Sequence, residues 1–126
     1  MTKSKNSHEC ANLPKSASVP KPFKVAFIGA GSIGFTRGLL ADLLTVPEFS
    51  DIEIAFTDIN PDNLRMVTQL CQRDIEENGL SVKIHATLDR REAFKDAKYV
   101  INCVRIGMLE AFATDVEIPL KYGVDQ

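Results

Sequence analysis

The sequence predicts an α/β protein: a parallel sheet in the strand order 3-2-1-4, with helices on both faces. Three observations predict it. Val25-Ala26-Phe27-Ile28 is a short, almost unbroken apolar run, as expected of a strand buried on both faces. Gly29, Gly31 and Gly34 follow it directly, at G-x-G-x-x-G spacing. Segments with strand character then alternate with segments of helical period along the rest of the chain, which implies parallel strands joined by right-handed crossovers. The order 3-2-1-4 is the one such a half-sheet adopts.

The elements follow in turn. Residues 1–22 contain Pro14, Pro20 and Pro22 among lysines, serines and asparagines, with little apolar content. Such a segment cannot bury enough surface to offset its ordering entropy, so a disordered tail is expected. It has no apolar h-region and so does not read as a secretory signal. It lacks arginine and carries Glu9, which counts against a transit peptide. His8 and Cys10 lie close together in it, but one such pair in a tail is read as accidental rather than as a metal site. Residues 23–126 form the folded part. After the first strand, Ile33 to Thr45 reads as a helix with Leu39, Leu40, Leu43 and Leu44 toward the sheet, and Arg37 and Asp42 outward or toward the helix ends. Val46-Pro47 ends it, because proline disfavours a helical residue before it.

Ile52 to Thr57 is the second strand, closing on Asp58. The second helix starts cleanly, with Asn60 as N-cap, Pro61 at the first helical position and Asp62 in the first turn. Leu64, Val67, Cys71 and Ile75 form its inward stripe, which makes Cys71 a small core residue. Arg73, Asp74, Glu76 and Glu77 read as a solvated face, and Asn78-Gly79 as a stop. Val82 to Thr87 alternates strictly, as a half-buried edge strand does. His85 on it reads as a surface residue and not a catalyst, since function in open α/β sheets gathers at the carboxyl ends of the strands. Arg90 to Ala97 makes a short helical crossover and Tyr99 to Val104 the fourth strand, beside the first. Met108 to Val116 is helical, and Pro119 is expected to bend or end it.

The glycines carry the chemistry. Gly29 permits the tight turn out of the strand, Gly31 lets a pyrophosphate approach the backbone, and Gly34 lets the next helix pack closely on the sheet. The first turn of that helix offers N–H groups and the positive end of its dipole to phosphates. Asp58 follows at about the expected ~20-residue separation. A carboxylate there accepts hydrogen bonds from an adenine-ribose diol and repels a 2′-phosphate, so the expected cofactor is NAD. The blander reading is a tight turn and a helix-capping aspartate. Strand, loop, helix, strand and acid in that order favour dinucleotide binding.

Composition bounds the alternatives. At 126 residues, 44% hydrophobic and 25% charged with a net charge of −2, the chain is one domain at most with an ordinary core. Both signs are interspersed, so neither nucleic acid nor a membrane surface is favoured. No apolar run reaches the ~20 residues that span a bilayer. Cys10, Cys71 and Cys103 fit neither a disulfide framework nor a C-x-x-C knuckle, and reduced thiols in the cytoplasm are the expectation.

Three segments go further than a generic Rossmann pattern: Ile28 to Leu44 (IGAGSIGFTRGLLADLL), Phe56 to Leu64 (FTDINPDNL) and Tyr99 to Gln126 (YVINCVRIGMLEAFATDVEIPLKYGVDQ). Together they resemble the N-terminal third of glycoside hydrolase family 4, most closely its α-galactosidase/α-glucosidase branch, over residues 23–126. The last segment is the most specific, with a fourth strand, an R-x-G turn and a helix ending in IPLKYGV. The resemblance implies an N-terminal part of a longer, cytoplasmic, homo-oligomeric enzyme acting on small glycosides. It implies hydrolysis by NAD-dependent oxidation at C3 of the sugar, loss of the C2 proton, elimination, addition of water and reduction. A divalent metal, usually Mn²⁺, would stabilise the developing charge.

Residue by residue, the resemblance places the nucleotide loop on Gly29, Ala30, Gly31, Ser32, Ile33 and Gly34, the ribose-binding acid on Asp58, and a substrate-side arginine on Arg105. Arg105 equally reads as a residue that caps a strand end or pairs with a carboxylate. Met108 stands where phospho-sugar members often carry a second basic residue, so the sugar stays open between galactoside, glucoside, uronide and 6-phospho-sugar. The metal-binding Cys and His and the catalytic base are expected beyond residue 126, with no catalytic residue inside it. An NAD-dependent 2-hydroxy acid dehydrogenase and a non-catalytic NAD-binding module remain as alternatives.

Overall fold

A computed structural model describes residues 22–125. The tail expected over residues 1–22, apart from Pro22, lies outside the described residues, as do His8 and Cys10. The elements are β1 (Lys24–Ile28), α1 (Ile33–Leu44), a 3₁₀ turn (Pro47–Phe49), β2 (Glu53–Thr57), α2 (Pro61–Glu77), β3 (Ile84–Thr87), α3 (Arg90–Phe94), β4 (Ala97–Asn102) and α4 (Met108–Leu120). The four strands are parallel and run in the order β3-β2-β1-β4, as expected.

Strand alternation divides the core between two faces. Val25 and Phe27 of β1 and Ile54 and Phe56 of β2 point to one face, where Leu40 of α1 and Leu64, Val67, Cys71 and Ile75 of α2 cover them. The rings of Phe27 and Phe56 meet edge to face at 5.2 Å. Ala26 and Ala55 point to the other face and pack on Ala93 of α3. Small residues there let the single short helix lie close to the sheet. The central strands are thus buried on both sides, and each large side chain withdrawn from water contributes roughly 1.5–3 kcal/mol.

Helix boundaries follow local chemistry. The Asn60 side chain accepts from the N–H groups of Asp62 and Asn63, both at 3.0 Å, and Pro61 opens α2. Gly79 adopts φ 68° and the Leu80 N–H reaches back to the Ile75 carbonyl at 3.0 Å, closing α2 on a left-handed glycine.

Several expectations need correction. Gly34 does not mediate close helix–sheet packing, because a Cβ built on it meets nothing within 4 Å. The α1 stripe is rotated: Leu40 is buried, Leu43 and Leu44 are half-buried, Leu39 is exposed, and the second fully buried residue is Thr36. Asp74 does not belong to a free solvated face, since it accepts from Arg37 Nε at 2.5 Å and Nη2 at 3.1 Å and ties α1 to α2. Ala86 of β3 is exposed, and the strand is shorter than its alternating pattern. β4 begins at Ala97, two residues before the expected start, after Asp96 turns the chain at φ 61°. Helix α4 continues through Pro119 to Leu120. Proline removes one N–H, but so near the end of the helix the loss is small, and the Val124 N–H caps the Pro119 carbonyl at 3.1 Å.

Candidate dinucleotide site

The carboxyl ends of β1, β2 and β4 converge on the glycine loop, residues 29–32. The Gly29 and Ala30 N–H groups both donate to the Thr57 carbonyl, at 3.0 and 3.1 Å. The Cys103 N–H donates to the Ile28 carbonyl at 2.8 Å. The loop is therefore stitched to both neighbouring strands as it leaves the sheet. Thr36, one turn into α1, donates its hydroxyl to the Ala30 carbonyl at 3.0 Å, which explains why a polar residue is fully buried on that helix.

Both leading glycines are required by what surrounds them. Gly29 adopts φ 79°, and a Cβ there would lie 2.8 Å from the Cys103 carbonyl carbon. A Cβ on Gly31 would lie 2.9 Å from both Asp58 Oδ2 and Asn63 Cβ. Asp58, half-buried, accepts the Gly31 N–H on Oδ2 at 2.8 Å and the Asn60 N–H on Oδ1 at 2.8 Å. The predicted loop and the predicted acid are thus in direct contact. Ser32 stands at the N-cap of α1 in extended conformation without a side-chain cap, and the first turn of the helix carries no acidic residue. That end of α1 suits an anion. Ile33 and Phe35 are exposed on the same turn, and Ile59, beside Asp58, is fully exposed.

Sequence reasoning missed Thr36, Asn63 and Ile59. Thr36 was hidden because a threonine in a helix gives no periodic signal, although its position in the first turn after a glycine loop was available as a clue. Arg105 lies apart from the loop contacts, just beyond β4. Its guanidinium sits over the Phe112 ring at 4.3 Å and donates to Asp115 Oδ2 at 3.3 Å, so it pairs with a carboxylate of α4. His85 is exposed at the sheet edge, 3.2 Å from Glu92 Oε1. The hydroxyl of Thr87 and then His85 hold the Glu92 carboxyl below its ordinary range. Burial pushes the Cys71 thiol up to about 11 and raises that of Cys103, so neither is an activated nucleophile.

A cavity of about 360 Å³ lies between α1 and α2, floored by Leu40, Leu44 and Ile75 beside the Arg37–Asp74 pair. It is lined by the later turns of both helices and by none of the loop residues. Among the described residues no group of three or more His, Cys, Asp or Glu could hold a metal ion, and no helix is long and apolar enough to cross a membrane.

Comparison with known proteins agrees with this geometry. An α-galactosidase of Rhizobium meliloti (strain 1021) is 55% identical over 104 residues, covering 82% of this chain and 21% of that protein. A solved structure of 6-phospho-β-glucosidase from Thermotoga maritima, with NAD and glucose-6-phosphate, superimposes with a TM-score of 0.68 at 33% identity, over 83% of this chain and 25% of that one. A 6-phospho-α-glucosidase from gut microorganisms, in complex with NAD and Mn²⁺, gives a TM-score of 0.69 at 25% identity, over 84% of this chain and 25% of that one. The chain therefore spans about a fifth to a quarter of the length of these relatives. Residues 24–126 match the profile of the family 4 glycosyl hydrolases, and the chain belongs to that family.

Proposed function

We propose that this chain is the NAD-binding part of a glycosidase that acts on α-galactosides by a redox mechanism. The observation that carries the reading is the junction of glycine loop and acid: Gly31 and Asp58 in contact at 2.8 Å, beside the open N-terminus of α1. Gly29, Ala30, Gly31, Ser32, Ile33 and Gly34 would line the pyrophosphate. The N–H groups of Gly29, Ala30, Gly31 and Ser32 are bonded within the chain, so those of Ile33 and Gly34, with the helix dipole, would bind it. Asp58 would accept from the ribose diol, and the exposed Ile59 offers the adenine an apolar neighbour. When bound, NAD⁺ supplies the redox capacity for oxidation at C3 of the sugar and its reversal.

The choice of α-galactoside rests on the Rhizobium relative, at 55% identity. Arg105 is the substrate-side residue of this reading. Its side chain is 52% exposed, so it can leave Asp115 for a sugar oxygen at little cost. The described residues supply no donor set for Mn²⁺, and no step through a metal is assigned to any of them. Residues 23–126 would form the N-terminal portion of the dinucleotide-binding domain.

The test uses the full-length protein, exhaustively dialysed and confirmed free of nucleotide, on aryl α-galactoside and α-glucoside with and without NAD⁺ and Mn²⁺. Hydrolysis that requires NAD⁺, with deuterium entering C2 of the product in deuterated water, is the expected result. Full activity without nucleotide and without exchange at C2 overturns the mechanism, since a glycosidase using two carboxylates needs no redox cofactor.

A further inference from the structure

Gly31 and Asp58 are usually given separate tasks, one toward the phosphates and one toward the ribose. Here they meet. We propose that Asp58 is a positioning residue that holds the glycine loop in its nucleotide-binding shape before any nucleotide arrives, in addition to accepting from the ribose. The second task rests on the reading above; the first stands on the geometry of the chain alone.

Each carboxylate oxygen of Asp58 takes one backbone N–H. Oδ2 takes that of Gly31 and Oδ1 that of Asn60, both at 2.8 Å. A carboxylate has about four lone-pair sites, so two are committed to the chain and about two remain for a ligand. The other anchors of the loop include the Thr57 carbonyl beneath Gly29 and Ala30, the Thr36 hydroxyl on the Ala30 carbonyl and the Ser32 N–H, which donates to the Gly29 carbonyl at 3.3 Å. None of these bonds the Gly31 N–H itself. Asp58 is the anchor at the point where the loop turns toward α1.

The same contact explains the glycine. A Cβ at position 31 would stand 2.9 Å from Asp58 Oδ2, closer than carbon and oxygen tolerate, before any phosphate approached. The absence of a side chain at Gly31 is thus demanded by the aspartate as well as by the ligand. Released from Asp58, the loop must be ordered during binding, and affinity falls by the fraction of molecules that are competent.

Two measurements on the full-length protein test this. The first is hydrogen exchange of the peptide spanning residues 28–35 without nucleotide, read by mass spectrometry in wild type and Asp58→Ala. Exchange about tenfold faster in the variant is expected, with the peptide covering residues 64–75 unchanged, which separates loop release from general unfolding. Unchanged exchange at residues 28–35 overturns the proposal.

The second compares Asp58→Asn with Asp58→Ala for binding of 2′,3′-dideoxyadenosine diphosphate. Both variants lack the charge and the probe lacks the hydroxyls, so neither repulsion nor ribose recognition separates them. Asparagine keeps one acceptor oxygen and should bind about fivefold tighter than alanine, the worth of roughly one hydrogen bond. Equal affinities overturn the proposal. Failure of the wild type to bind any dinucleotide sinks the functional reading instead, and the exchange experiment still decides the clamp.

Discussion

Helices α2 and α4 carry apolar residues at the same helical spacing and meet opposite fates. Leu64, Val67, Cys71 and Ile75 of α2 are all buried, although the helix is dominated by polar residues. Met108, Leu109 and Phe112 of α4 are all exposed, and α4 has no buried residue, although its sequence is the more apolar. The difference lies in what stands opposite. The sheet presents Phe27, Ile54 and Phe56 to α2, whereas α4 follows β4 off the sheet's end and makes no extensive contact with another element among the described residues. A periodic stripe reports which face of a helix is apolar. It does not report what covers that face.

The contrast can be broken most forcefully in the core. Phe27→Ala should cost about 3–5 kcal/mol through lost burial and a cavity, enough to remove the cooperative urea transition of the 126-residue chain. Phe112→Ala in α4 should cost less than about 1 kcal/mol, since the residue is already 46% exposed and stacks on the Arg105 guanidinium at the surface. Comparable losses at the two positions would show that α4 is packed as well as α2.

The glycines sharpen the same point at smaller scale. Gly29→Ala forces a Cβ against the β4 exit in a left-handed conformation and should weaken dinucleotide binding at least ~10-fold, about 1.4 kcal/mol. Gly34→Ala should instead stabilise α1 by roughly 0.5–1 kcal/mol, because the space is open and alanine is the better helix former. Destabilisation by Gly34→Ala, read in thermal unfolding of the 126-residue chain, would restore the packing role that its spacing suggested.

Much of the site was legible because its signals are local. The apolar run of β1, the spaced glycines and an acid after the second strand are each a few residues long and can be read without knowing what lies across the fold. The sheet order and the α2 stripe followed from alternation and period. The partners across elements were not legible. Nothing within α1 says that Arg37 meets Asp74, and nothing near Asp58 says that its carboxylate reaches back to Gly31. Pro119 was legible as a stop to within one residue, since α4 ends at Leu120.

Arg105 sits on the sparsely packed side of the comparison, where the sequence allowed both a substrate role and a carboxylate pair. Arg105→Ala should lower kcat/KM of the full-length enzyme by about tenfold while leaving its melting temperature in place. Unchanged kcat/KM would assign the residue to the α4 contact alone.

Titration gives an effect confined to alkaline pH, again on the α2 side. Burial raises the Cys71 thiol from 9.0 to about 11. A raised folded-state value means stability that is full below pH 9 and lost as pH rises through about 11. Unfolding measured from pH 8 to 11 should show this decline, and Cys71→Ala should flatten it. An identical decline in the variant would place the titration elsewhere. Alkylation at neutral pH should reach the half-buried Cys103 before Cys71.

The central claim is that the edge between β1 and β2, closed by Asp58, is an NAD site. Titrating NAD⁺ and NADP⁺ into the full-length, nucleotide-free protein by calorimetry tests it most directly. The carboxylate of Asp58 should favour NAD⁺ by at least ~10-fold, about 1.4 kcal/mol, and Asp58→Ala should narrow the gap. Equal or tighter binding of NADP⁺ by the wild type would contradict the account.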